Sequence, residues 1–211
     1  MRMRKVPWAV EYLEKSQRLE KEPAKWKGKW HSRLHTKDLH VEIGCGKGQY
    51  SLDMAKMYPE SGFIAIEKNE SAGGIAAKKF DEDPAEKKLA LIVEDAADLG
   101  EWFKEGEVDV IHLNFSDPWP KKRYAKRRLA SDSFIRQYLQ VLSDSGRIET
   151  KTDNGALFEY SVLMFLEYGF RLKDFQVDFR KEEHPEDAIT EYEAKFIEKG
   201  QPIYRAVFQK K

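Results

Sequence analysis

The chain has 211 residues, 41% hydrophobic and 12% aromatic, with 37 Lys+Arg balanced by 37 Asp+Glu. That composition excludes wholesale disorder, and a mean hydropathy of −0.71 with no apolar run near bilayer length disfavours a membrane protein. A single cysteine, Cys45, excludes an intramolecular disulfide, and five scattered histidines offer no metal-ligand spacing, so metal catalysis is not expected. The basic N-terminus is broken by Glu11 and Glu14 where a signal peptide needs its apolar stretch, which leaves a cytoplasmic protein as the expectation.

Charge balance hides a strongly uneven distribution. Residues 1–40 carry eleven Lys/Arg against five Asp/Glu, a net of +6, and 121–128 (KKRYAKRR) add six cations and no acid. Residues 81–109 hold eleven acids and three lysines, a net of −8. The first two patches suit phosphates and the third does not.

In chain order, residues 1–38 are expected to form a basic N-terminal extension, helical in parts and able to be mobile, and residues 39–211 one domain. Within it, short apolar runs at 39–43, 62–66, 89–93, 108–113 and 147–151 predict strands. Amphipathic stretches at 50–58, 72–80, 99–103 and 134–142 predict helices between them. This alternation implies an α/β fold with a mainly parallel, twisted sheet covered by helices on both faces. A helix over 156–168 then leads to two β-rich segments, 170–179 and 202–208, expected as an antiparallel C-terminal edge.

After the first strand comes Glu42-Ile-Gly44-Cys-Gly46-Lys-Gly48, running into a helix. Alternate glycines let the backbone turn sharply beneath a ligand. The dinucleotide fingerprint requires a glycine at 49, where Gln49 stands, so a pyrophosphate cofactor is disfavoured. Glu42 instead suits a ligand with a cationic end, and S-adenosylmethionine meets that demand. Glu67 after the second strand can accept from a ribose diol, and Glu94 or Asp95 after the third from an adenine amine. Cys45 fits a small residue in a tight turn better than a nucleophile.

The fourth strand ends in Asn114-Phe-Ser-Asp117-Pro-Trp119-Pro120, a loop stiffened by two prolines. Trp119 can stack on a base while Asp117 accepts from the donor edge of guanine; a capped turn around a packed tryptophan fits the same residues. The basic run that follows fits either a solvated face or a phosphate clamp. Asp153 and Asn154 are alternative helix N-caps, and Thr190 with Glu193 spells a capping box.

With EIGCGKG at 42–48, FSDPWPKKRYAKRRL at 115–129, KTDN at 151–154 and TEYEAKF at 190–196, the sequence resembles the bacterial tRNA (guanine-N7-)-methyltransferase family. The resemblance implies a Rossmann-like class I methyltransferase fold and transfer of a methyl group from S-adenosylmethionine to N7 of a guanine in the tRNA variable loop. It implies cofactor contacts at Glu42, Gly44, Gly46, Gly48, Glu67, Asp95 and Asp117, with Asp117 also the active-site residue. Substrate contacts are implied at Lys121, Asp153, Thr190, Glu191, Tyr192 and Glu193. RNA contacts are implied at Arg123, Tyr124, Ala125, Lys126, Arg127 and Arg128, with Tyr124 standing where a histidine is expected in many members. Monomer and homodimer both stay open.

Overall fold

The computed structural model describes residues 4–83 and 88–211. Seven strands form one sheet: β1 (Leu39–Ile43), β2 (Gly62–Ile66), β3 (Leu89–Ile92), β4 (Val108–Asn114), β5 (Leu142–Thr152), β6 (Arg171–Gln176) and β7 (Tyr204–Gln209). Their order is β3-β2-β1-β4-β5-β7-β6, with the first five parallel and β7 antiparallel to both its neighbours. The expected parallel sheet with an antiparallel C-terminal edge is what the chain forms. β1, β2 and β3 are buried along their whole length because helices cover both faces, whereas edge strand β6 alternates exposed and half-buried residues.

The helices are α1 (Pro7–Leu13), α2 (Trp30–Leu34), α3 (Gln49–Met57), α4 (Glu70–Asp81), α5 (Leu99–Trp102), α6 (Asp132–Val141), α7 (Gly155–Glu167) and α8 (Glu191–Glu198). Asn69 caps α4, accepting from the Ala72 amide, and Asn154 caps α7, accepting from the Leu157 amide. β5 begins five residues before the expected run, because Leu142 already pairs with Val108 at the end of α6, ahead of a register shift.

Residues 7–34 pack onto this frame. α1 lies so close to α4 that a Cβ on Gly74 would sit 1.9 Å from the Ala9 carbonyl oxygen. Trp30 is completely buried; its indole N–H donates to the Trp102 carbonyl, and Glu107 accepts from the Gly28 and Trp30 amides. Among the described residues no helix is long and apolar enough to cross a membrane.

Candidate active site

The strand order reverses between β1 and β4, so the crevice at their C-terminal ends is where an open α/β sheet takes its ligand. The glycine loop fills the β1 side. Gly44, Gly46 and Gly48 all have positive φ, at 83°, 56° and 76°, conformations that a side chain would strain. Space over Gly44 and Gly46 is open, whereas Gly48 packs against Phe80 and Ala76 and starts α3. The Gly44 and Cys45 amides donate to the Ile66 carbonyl, which joins the loop to β2.

Two acids lie beneath this cradle. Glu42 is buried and accepts from the Ser51 hydroxyl at 2.5 Å and the Asn114 amide at 3.1 Å. Glu67 accepts from the Gly46 and Asn69 amides at 3.0 and 2.8 Å. Burial raises the pKa of both, against the lowering effect of these hydrogen bonds. A carboxylate removed from water gains most from a cationic ligand, so the pair fits an amino acid ammonium or a sulfonium better than a phosphate. Asp95 is exposed after β3 and caps the following turn through the Ala97 amide. Burial and the nearby Glu42 and Glu67 push the Cys45 thiol well up, so it is no nucleophile.

The β4 side carries the second half. Phe115 and Trp119, neither a glycine, both have positive φ, at 47° and 39°; backbone strain of this kind persists only where the surroundings impose it. The Phe115 amide continues the sheet ladder to the Lys151 carbonyl. Arg128 holds the other end, donating from Nε to the Pro118 carbonyl and from Nη2 to that of Trp119, both at 3.1 Å. Between these anchors Asp117 is exposed and, among the described residues, makes no hydrogen bond or ion pair. The Arg127 guanidinium lies 5.0 Å from the Trp119 ring centre and 5.1 Å from that of Tyr124, with Arg123 4.8 Å from the latter. Lys121, Lys122, Arg123, Lys126 and Arg127 are exposed; Arg128 is the cation of the run that is occupied internally.

β5 ends beside β4, with Lys151 paired to Asn114, so Asp153 and the Asp117 loop leave adjacent strands at the same end of the sheet. Asn154 takes the capping role, which leaves Asp153 exposed and without a hydrogen bond among the described residues. The capping box at α8 is complete, with Thr190 Oγ1 accepting from the Glu193 amide and Glu193 Oε2 from the Thr190 amide. Glu191 reaches back to Lys47 in the glycine loop and Lys79 on α4, Tyr192 is exposed, and Phe196 stacks parallel to Phe115. Glu193 is fully buried, and both its oxygens are engaged by Lys151, Arg180 and its own cap amide.

Those contacts belong to a buried ring of four charges. Lys151 bridges Asp187 and Glu193 at 2.5 and 2.9 Å, and Arg180 bridges the same two acids at 2.6 and 2.5 Å. Nothing in the sequence pattern joins these positions; a lysine inside a buried strand end, Lys151, is the one signal that a partner of opposite charge lies nearby.

The doubly wound sheet with an antiparallel edge, the open glycine cradle and the two desolvated acids define a class I S-adenosylmethionine-dependent methyltransferase. A family model described as "Putative methyltransferase" matches residues 36–206. The chain is 44% identical over 214 residues to the tRNA (guanine-N(7)-)-methyltransferase of Oceanobacillus iheyensis, covering 100% of each, and 45% identical over 207 residues to that of Bacillus licheniformis, covering 97% of each. Among solved structures it is similar in fold to the 16S rRNA methyltransferase KamB, with a TM-score of 0.63 at 14% identity over 86% of this chain and 91% of that one. The aminoglycoside resistance methyltransferase NpmB1 gives a TM-score of 0.59 at 16% identity over 87% and 93%. The chain belongs to the tRNA (guanine-N(7)-)-methyltransferase family.

Proposed function

We propose that this protein transfers a methyl group from S-adenosylmethionine to N7 of a guanine in tRNA, in the variable loop. The observation that carries the reading is the Asp117 loop, anchored at both ends, which holds a carboxylate unpaired among the described residues between two aromatic residues of positive φ, beside the glycine cradle and a run of exposed cations. Bound S-adenosylmethionine supplies an electrophilic methyl group on a sulfonium. Glu42 and Glu67 hold its cationic and ribose ends across the space above Gly44 and Gly46, and Asp95 faces the adenine.

Guanine N7 carries a lone pair and no proton at neutral pH, so the chain has no proton to remove. Its task is placement, which is worth several kcal/mol when the reacting atoms are held at attack distance. Asp117 and Asp153 are free acceptors that orient the base by its donor edge and offset the positive charge gained by the purine. Asp117 is a positioning acid on this reading, not a general base. Trp119 offers the stacking surface once Arg127 turns to a phosphate. Lys121 and the exposed cations from 122 to 127 meet the backbone, with Tyr124 and Ala125 among them, while Arg128 secures the loop behind. Thr190, Glu191 and Tyr192 border the substrate, and Glu193 serves it indirectly through the cap. Residues 39–211 make up the catalytic domain, and 1–38 a basic extension that adds positive charge next to it.

The test is transfer of radiolabel from methyl-labelled S-adenosylmethionine to unmodified, folded tRNA, followed by aniline cleavage at the methylated guanine. Strand scission at the variable loop is expected; labelled tRNA that aniline does not cut, or no label at all, refutes the reading.

A further inference from the structure

Helix α3 begins at the glycine loop and presents Tyr50 and Met54, four residues apart, on one face, with Tyr58 following at its C-cap. Three consecutive residues of the loop before α8 dock on it. The Tyr58 hydroxyl donates to the Glu186 carbonyl at 2.7 Å, the Tyr50 hydroxyl to Asp187 Oδ1 at 2.9 Å, and the Ala188 amide to Met54 Sδ at 3.4 Å. Asp187 then passes the contact into the four-charge ring and so to Glu193 and the capping box.

We propose that Tyr50 is a positioning residue for the methyl transfer: its hydroxyl fixes Asp187, and through it the 190–193 segment, against the helix that starts at the cofactor loop. The proposal rests on the tRNA reading above. Tyr50 has one hydroxyl hydrogen, and Asp187 takes it. Its oxygen is therefore left to accept from His112 Nδ1, 3.2 Å away, and His112 Nε2 in turn accepts from His40 Nδ1 at 3.0 Å. Burial lowers the pKa of His40 to about 3 and of His112 to about 4, so both rings are neutral and each carries the single proton this order needs. The chain His40, His112, Tyr50, Asp187 runs in one direction, each donor polarising the next. His112 also lies directly opposite Glu42 in the β1–β4 register. The helix that starts at the glycine loop and the loop leading into α8 are thus joined through one phenol.

Tyr50→Phe tests this, because it keeps the ring, which lies 4.7 Å from the Lys151 ammonium, and removes the hydroxyl alone. Losing one buried hydrogen bond is expected to raise the KM for tRNA about three- to tenfold. Turnover at saturating tRNA and affinity for S-adenosylhomocysteine should stay within about twofold. Amide exchange across 187–194 should accelerate while the β1–β4 core is unchanged; this readout needs no RNA, so it separates the proposal from the substrate assignment, which the wild-type transfer assay decides. An unchanged tRNA KM with a lowered Tm would make Tyr50 merely structural. A fall in turnover alone, altered cofactor affinity alone, or unchanged exchange across 187–194 would equally overturn the proposal. If Tyr50→Phe does not fold, Tyr58→Phe removes the exposed hydroxyl that donates to the same loop; a smaller KM rise in the same direction supports the docking, and no change overturns it.

Discussion

The buried ring of Lys151, Arg180, Asp187 and Glu193 balances two cations against two acids, so its stability rests on all four being present. Lys151→Met keeps the length and most of the volume of the side chain, which limits any cavity effect. It leaves two buried carboxylates facing one guanidinium, where Lys151 had been 2.5 and 2.9 Å from them. Breaking a buried pair from one side costs about 3–5 kcal/mol, since the excess charge must be desolvated or neutralised by a proton. In a chain of this size each kcal/mol moves the midpoint by about 2–4 °C, so calorimetry at neutral pH should record a Tm lower by about 6–20 °C. Lys151→Met combined with Glu193→Gln restores charge balance around Arg180 and Asp187. The double variant should therefore recover about 1–3 kcal/mol relative to the sum of the single losses. A single-variant loss below about 1 kcal/mol, or strict additivity, would show instead that the ring is hydrated or loosely held, with no uncompensated buried charge left behind.

Asp117 is exposed and, among the described residues, unbonded, so Asp117→Ala should change stability by no more than about 0.5 kcal/mol. Turnover should fall about 10²- to 10⁴-fold from the loss of two charge-assisted hydrogen bonds to the base, with RNA affinity nearly intact; collapsed affinity with preserved turnover would make it a docking residue. Neutralising Lys121, Lys122, Arg123, Lys126 and Arg127, with Arg128 kept to hold the loop, should reduce the salt slope of tRNA binding by up to about 0.9 per lost duplex contact, and an unchanged slope would move the RNA elsewhere. Gly74→Ala drives a methyl group into the Ala9 carbonyl and should lower the urea midpoint by an amount equivalent to about 1–3 kcal/mol while exposing residues 4–20 to protease; a wild-type midpoint would contradict the close contact of α1 and α4. His40 and His112 have folded pKa values depressed to about 3 and about 4, so their contribution is complete above the unfolded value and lost as pH falls. Urea unfolding from pH 7 down to pH 4 should show stability declining below about pH 6.5 by up to about 1.4 kcal/mol per pH unit for each histidine, and His40→Gln should remove its share of that slope. A stability that is flat between pH 6.5 and 4.5 would mean the pair is protonated in the folded state.

Local pattern was informative wherever one element decides a residue's role. β1 and β2 have the expected bounds because uninterrupted apolar runs between turn residues fit a strand buried on both faces. The glycine loop was legible because its conformation, φ positive at three alternate positions, demands glycine whatever surrounds it. The Thr190–Glu193 capping box was legible because its two hydrogen bonds span three residues. Asp153 and Asn154 could not be separated by pattern, since either can cap a helix; the geometry gave the cap to Asn154 and left Asp153 facing solvent.

The order of strands and helices, the cradle and the placing of acids and cations at strand ends are properties of neighbouring residues, and local pattern is enough to read them. Tertiary structure decided which of those charges are free. It turned Glu193 inward to partners 42 and 13 positions away, spent Arg128 on the loop it follows and paired His40 with His112 across 72 positions. The physical reason is that a charge's role depends on its solvation and its nearest opposite charge, and both are set by chain segments that meet only when the sheet has formed.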